Sequence, residues 1–208
     1  MLIDMVFTLI FILGVYYLIR YRNNVKNAVL LTKQADFPKG EKEMKSVLIP
    51  PEWKEMRPLS NSTKSYLYVK WGTVAAVVLL LILLVTVLTT DLFGSSLFTI
   101  AYLFFIIIRS VQHPGNLYIL PNGIILHGKY FPYNKVQKYE VERIVRWHQL
   151  YGLNDRVNFG YKLIIQVKGI FPDNHFLVIE DQENLEKIIG LLEKKGVPGI
   201  RKQHTSAK

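Results

Sequence analysis

Trp71-Gly72-Thr73-Val74-Ala75-Ala76-Val77-Val78-Leu79-Leu80-Leu81-Ile82-Leu83-Leu84-Val85 decides the fold class of this chain. The run carries no charge and is apolar on every face, without the polar stripe that a surface helix keeps. With its flanks it covers residues 69–90, which meets the roughly 20 apolar residues needed to cross a bilayer core of about 30 Å. Only helices and closed barrels satisfy their backbone groups in lipid, so the run is expected to span as a helix. The plainer alternative, a buried helix of a soluble protein, is normally shorter and keeps one polar side.

Two further apolar blocks flank this one, at residues 2–19 and 92–108. Asp91 and Gly94-Ser95-Ser96 separate the second block from the third. A break that short permits only a tight helical hairpin, in which the third block returns through the bilayer. The first block has Asp4 near its start and Arg20, Arg22 and Lys26 just after it. A cleaved signal peptide would put positive charge before the apolar run and an Ala-x-Ala site after it. Neither is present, so the block is expected to be an uncleaved anchor.

Charge sets the orientation. Residues 20–70 hold 11 Lys and Arg against 5 Asp and Glu, and residues 110–208 hold 14 against 9. The Asp91 turn has no Lys or Arg. Short basic loops stay cytoplasmic, so the N-terminus is expected outside, with the middle segment and the C-terminal part both inside. Each Lys or Arg at a span centre would cost about 2.5–3.5 kcal/mol, and the spans avoid them. Tyr16, Tyr17, Tyr21, Tyr66, Tyr68 and Trp71 stand at the expected inner interface, where aromatic rings prefer the headgroup level. The chain has no cysteine, which excludes disulfides, thiolate nucleophiles and cysteine metal sites.

The middle segment reads as a helical extension followed by loop. Val25, Ala28, Val29 and Thr32 recur at helical spacing, so the first helix should run on to about Lys33. Pro38-Lys39-Gly40 breaks it, residues 41–46 suit a short charged turn, and Pro50-Pro51 and Pro58 forbid a long helix. Its basic excess has two readings: attraction to anionic lipid, or charge present only to fix topology. The Asn61-Ser62-Thr63 triplet falls on the expected cytoplasmic side and is set aside as a glycosylation signal.

After Arg109 the period changes from helical to alternating. Leu117-Tyr118-Ile119-Leu120 and Ile124-Ile125-Leu126 read as a hairpin around Pro121-Asn122-Gly123. Gly128-Lys129 is expected to turn, Tyr139 to Trp147 to form a longer strand, and Tyr151 to Asp155 a loop. Tyr161, Leu163, Ile165 and Val167 alternate with Lys162, Ile164, Gln166 and Lys168, the pattern of a half-buried strand. Pro172-Asp173-Asn174 turns the chain into Phe176-Leu177-Val178-Ile179. A helix closes the domain: Asp181 is its N-cap, Leu185, Ile188, Ile189 and Leu192 its apolar stripe, and Gly196 its left-handed stop. The tail at 199–208 is expected to be disordered.

This order of strands and closing helix resembles bacterial pleckstrin-homology-like (PH-like) domains carried behind membrane helices in small proteins of unknown function. The matching residues are Gly123-Ile124-Ile125, Phe131-Pro132-Tyr133-Asn134-Lys135-Val136, Tyr139-Glu140-Val141, and the last strand and helix. Five or six strands are legible, where the full fold has seven. The resemblance implies binding or assembly without catalysis and carries over no ligand residues.

Motifs of chemistry are missing from the sequence. The histidines, at 113, 127, 148, 175 and 204, do not pair at metal-ligand spacing, and His127 and His148 read as packing or surface residues. No phosphate-cradling glycine loop or nucleophile elbow occurs. Glu140, Glu142 and Glu180 read as exposed strand positions. One cluster invites a binding role: Lys129, Lys135, Lys138, Arg143, Arg146 and Trp147, interleaved with Tyr130, Phe131, Tyr133 and Tyr139. It reads either as a surface for anionic lipid headgroups or as a solvated sheet face over core aromatics. Nucleic acid is not an expected partner, since the excess charge is modest and the domain tethered.

The expectation is therefore an α+β membrane protein. It has a transmembrane helix at 1–20, a basic cytoplasmic loop at 21–68, a transmembrane helical hairpin at 69–109 and a cytoplasmic antiparallel β-sheet domain at 110–198. Its expected role is a membrane-anchored, non-catalytic binding or scaffold module, without cofactor, metal or catalytic residues. The alternative is an accessory subunit of a transporter or membrane enzyme. Expected partners are the lipid bilayer, anionic headgroups and a protein of unknown identity.

Overall fold

The computed structural model describes residues 2–50, 52–89, 97–111, 115–168 and 173–202. In chain order the elements are α1 (Leu2–Leu31), α2 (Glu41–Lys45), β1 (Val47–Ile49), β2 (Lys54–Glu55), α3 (Lys64–Thr89), α4 (Leu97–Ser110), β3 (Leu117–Leu120), β4 (Gly123–Leu126), β5 (Lys129–Pro132), β6 (Val136–Arg143), β7 (Tyr161–Val167), β8 (Asp173–Ile179), α5 (Gln182–Lys194) and β9 (Gly199–Lys202). They form two compact units. Met1–Val29 with Ser60–His113 is helical, and Leu30–Leu59 with Pro114–Lys208 holds the sheets.

In the helical unit, α1 has 30 residues and α3 has 26, about 45 and 39 Å at 1.5 Å per residue. Both are long and apolar enough to cross a membrane; α4 is a shorter apolar helix. Glycine lets α1 approach α4, because a Cβ at Gly14 would run into the ring of Phe104. The rings of Phe11 and Phe104 sit 5.1 Å apart beside it. Tyr68 Oη of α3 donates to the Ser110 carbonyl at 2.8 Å. The threonines of α3 satisfy themselves: Thr73, Thr86 and Thr89 donate to the carbonyls of Val69, Ile82 and Val85 at 2.7, 2.9 and 2.8 Å. Large apolar side chains face outward along all three helices, among them Leu9, Ile12, Leu79, Ile82, Tyr102 and Phe105. The expected break at Asp91 and Gly94-Ser95-Ser96 lies outside the described residues, as do Pro172, His113, His204 and the tail from 203.

The sheet unit stacks a six-stranded sheet, in the order β2-β1-β8-β7-β6-β9, against a three-stranded one, β3-β4-β5. Alternation in β7 places Leu163, Ile165 and Val167 in the core between them. The stripe on α5 packs there too, with Leu185, Ile188, Ile189 and Leu192 all buried. The Asp181 carboxylate accepts from Asn184 N at 2.8 Å, capping that helix, and Gly196 takes φ +74° after it.

Several expectations change. The middle segment is not only loop: β1 pairs antiparallel with β8, and β2 extends the sheet edge. Val47, Leu48 and Ile49 are buried, a short apolar run that periodicity cannot assign without its partner strand. The sheet is mixed rather than antiparallel, because β9 pairs in parallel with β6. The expected disorder therefore fails for residues 199–202. Nothing local in Gly199-Ile200-Arg201-Lys202 announces a strand; its pairing depends on the free edge of β6. Gly199 is needed there, since a Cβ would collide with the Tyr139 ring. Lys129 begins strand β5 instead of a turn, with Pro132 tolerated at that strand's end. The long strand ends at Arg143, not Trp147, because Ile144 turns inward to pack with Leu48, Val157 and Val178.

Candidate functional site

The basic cluster at 129–147 is spread over several elements. Lys129 is on β5 in the smaller sheet, Lys135 follows in a 3-10 turn (Tyr133–Lys135), Lys138 and Arg143 are on β6, and Arg146 and Trp147 lie in the turn beyond. Lys138 and Arg143 are an odd number of residues apart on a strand and so point to opposite faces. The aromatics go elsewhere. Tyr139 is buried and its hydroxyl donates to Glu193 Oε1 at 2.8 Å. Burial first, then Glu193, pushes its pKa up to about 12. Tyr133 Oη donates to the Leu120 carbonyl and Tyr130 Oη to that of Asn122, at 2.7 and 2.9 Å. Arg143, Arg146 and Trp147 remain exposed, the tryptophan at 71%.

Lys138 is held by a carboxylate that sequence reading placed in solvent. Glu140 is only 7% exposed. It accepts from Lys138 Nζ at 2.7 Å and from Lys202 Nζ at 2.9 Å. Hydrogen bonds from those two ammonium groups hold its carboxyl below the usual carboxylate range. Glu140 thus clips β9 to β6 rather than standing free. Glu142 stands 3.6 Å from Nε2 of the buried His148, and Glu180 pairs with Arg156 at 2.6 Å.

The middle segment forms a groove that sequence reading missed. Its volume is about 670 Å³, and it is lined by Lys39, Gly40, Glu41, Met44, Lys45 and residues 54–58, within the ~300–1,000 Å³ typical of ligand clefts. Helix α2 forms one wall and is fixed from both ends. The Lys39 backbone N–H donates to Glu43 Oε2 at 2.7 Å, and Lys187 of α5 pairs with the same carboxylate. Burial pushes the Glu43 carboxyl up, but those partners outweigh it and leave it lowered. Ser46 Oγ accepts from Asn184 Nδ2 at 2.9 Å. The other wall is β2 and the residues after it. Met56 N donates to the Val47 carbonyl at 2.8 Å, and Leu59 N to Tyr118 Oη at 2.8 Å. Burial raises the Tyr118 pKa.

Arg156 locks the rim from outside. It donates to Glu55 Oε1 and Glu180 Oε2, both at 2.6 Å, and to the Lys45 carbonyl at 3.0 Å. Glu180 and then Glu55 raise its pKa. Lys45 pairs with Glu41 at 2.9 Å, and Lys54 with Glu52. Lys39 and Arg57 are exposed and form no ion pair among the described residues. The groove therefore combines apolar walls at Met44 and Pro58, backed by the core residue Met56, with a positive rim.

No protein-family model, curated protein or solved structure matches this chain.

The histidines hold no such arrangement. The rings of His127 and His175 are 4.9 Å apart, and Phe131 lies 5.8 Å from His175. Among the described residues, no group of three or more His, Asp or Glu gathers at metal-binding distance. The signal for the groove was present as a charged turn between Gly40 and Pro50. Its concavity arises only when β1 and β2 join the sheet.

Proposed function

We propose that this chain is a membrane-anchored, non-catalytic binding module that carries its sheet unit on one face of the bilayer. The observation that carries the reading is the pairing of β1 with β8. Strand β1 lies between α1 and α3, and β8 lies after α4. Two segments that share a sheet must be on the same side of any membrane. The chain between residues 59 and 115 then crosses an even number of times. If α3 crosses once, the region of α4 must bring the chain back.

That parity supports three spans, an N-terminal one and a hairpin. Helix α4 has 14 residues, about 21 Å, against a bilayer core of about 30 Å. The outward apolar side chains of the helical unit support lipid around it. The basic excess of residues 20–70 and 110–208 supports, in this reading, a cytoplasmic sheet unit in a cell whose membrane holds the protein. We keep the PH-like resemblance as a proposal for the sheet unit. Two packed sheets and the closing helix α5 favour it, while the insertion of β1 and β2 and the parallel β9 depart from it.

The chain's lack of cysteine makes the topology testable. Single cysteines at Lys54, Lys194 and Asp4 are labelled in intact cells with a membrane-impermeant thiol reagent. Protection of the first two with labelling of the third is expected. Opposite behaviour at Lys54 and Lys194 would overturn the reading, because those sites flank one sheet.

A further inference from the structure

We infer that the groove between α2 and β2 binds the phosphate headgroup of an anionic phospholipid. Lys39 and Arg57 would hold the phosphate, and Met44 and Pro58 would contact the glycerol and upper acyl chain. The inference deepens the membrane-anchored reading and rests on it.

Charge is the first argument. The lining holds four cations, Lys39, Lys45, Lys54 and Arg57, against Glu41 and Glu55. Glu55 is taken by Arg156, which is not part of the lining. Glu41 neutralises Lys45, and Glu52 outside the lining neutralises Lys54. Arg57 pairs with no carboxylate among the described residues, and Lys39 acts on Glu43, a carboxylate already paired with Lys187, so the net positive charge rests on Lys39 and Arg57. Arginine offers a planar fork that matches phosphate oxygens, and lysine adds a point charge.

Amphipathicity is the second. A site for a small hydrophilic anion needs no apolar wall. Here Met44 is half-buried on one wall and Pro58 exposed on the other, while Met56 behind them belongs to the core and accepts from Leu117 N through its sulfur at 3.1 Å. Methionine is an adaptable surface for flexible apolar chains. The same cleft thus offers both halves of a phospholipid's interfacial region.

Connectivity is the third. Lys39 follows the last residue of α1, Leu31, closely, and Pro58 shortly precedes the first residue of α3, Lys64. An extended chain spans at most about 3.3–3.6 Å per residue, which keeps Lys39 and Pro58 within about 30 Å of those helix ends. A groove tethered at both sides to spanning helices meets lipid headgroups at a high effective concentration, of millimolar order for short linkers.

The test uses the full chain in detergent, with bound lipid counted by native mass spectrometry during titration with phosphatidylglycerol or phosphatidylcholine. The double variant Lys39→Ala/Arg57→Ala removes both cations. The double variant Lys194→Ala/Lys195→Ala removes the same charge from the end of α5. We expect the first to weaken phosphatidylglycerol binding on the order of tenfold or more while leaving phosphatidylcholine unchanged, and the second to do neither. Equal loss in both variants would reduce the effect to net charge and overturn the site. Displacement of phosphatidylglycerol by excess inorganic phosphate, with no lipid preference left, would overturn the lipid as occupant. An unchanged thermal unfolding midpoint shows that the groove variant is folded. Failure of the membrane reading is seen separately, as a chain that stays monodisperse without detergent.

Discussion

Leu79 and Leu177 are the same residue in opposite situations. Leu79 on α3 is 51% exposed, among outward-facing Val78, Leu81 and Ile82; Leu177 on β8 is 0% exposed, within the core of the sheet unit. Each exposed aliphatic side chain forgoes about 1.5–3 kcal/mol of burial, and α1 and α3 are both long and apolar enough to cross a membrane. The helical unit turns its apolar residues out along whole helices, whereas the sheet unit turns them in and leaves ions at its surface. The contrast teaches that one chain carries two opposite patterns of apolar exposure, the outward one on helices long enough to span a membrane. Hydropathy selects the solvent, and alternation selects the face.

The contrast breaks most directly at those leucines. Leu177→Ala should destabilise the sheet unit by about 2–5 kcal/mol, the range for buried leucine truncation. Leu79→Ala should leave sheet unfolding unchanged, since no packing is lost within that unit. Denaturant unfolding in detergent, followed by the fluorescence of Trp53 and Trp147, measures both. Comparable losses would mean that Leu79 is buried against protein. The complementary change is Leu79→Arg, which should cost about 2.5–3.5 kcal/mol of membrane insertion while sparing the sheet; the membrane-bound fraction after expression reads it.

Gly199→Ala sharpens the contrast within the sheet unit. The added methyl meets the Tyr139 ring, and overpacking of this kind costs about 1–3 kcal/mol. We expect β9 to leave β6 first, exposing Tyr139 and freeing Lys202 from Glu140. Protease cleavage after Arg201 or Lys202 should quicken well before the rest of the unit unfolds. Cleavage no faster than in the parent chain would show that the strand tolerates the methyl group.

How much of this was legible depended on whether the signal was local. The apolar run around Leu79, the alternation from Tyr161 to Val167, the stripe and cap of α5, and the hairpin at Asn122-Gly123 are each specified within a few residues, and each forms the helix, strand, cap or hairpin expected there. What was missed is non-local. Val47-Leu48-Ile49 is a strand because β8 offers an edge, and Gly199 to Lys202 is one because β6 offers another. Glu140 looked solvent-exposed by alternation; two lysines, one of them far along the chain, close over it. The groove was missed for the same reason. Its residues lie close together in sequence, but their concavity is made by pairing with strands far along the chain.

Asp181→Ala should remove a local feature that sequence did specify. The carboxylate accepts from Asn184 N at 2.8 Å, and loss of such a cap costs about 1 kcal/mol. The denaturation midpoint of the sheet unit should fall with an unchanged denaturant slope. Asp181→Asn should recover most of it, since asparagine caps nearly as well.

The smallest effect separates a clip from a core. The carboxyl of Glu140 sits below its ordinary value of 4.5 because Lys138 and Lys202 donate to it. A lowered carboxylate stabilises the folded state fully above the unfolded value, and that contribution is lost as pH falls through the folded value. The Lys202 ammonium is raised above 10.5 by Glu140, so its share is present below that value and lost as pH rises through the folded one. The contact between β9 and β6 should therefore hold across the neutral range and loosen at both extremes, the acid side below about 4.5. The methyl resonances of Ile200, which sits between Arg201 and Gly199 on that strand, report the release. In Glu140→Gln the acid step should vanish, because no group remains there to titrate. Persistence of the step would assign it to another carboxylate, with Glu186, paired to Arg201 at 2.8 Å, the next to substitute.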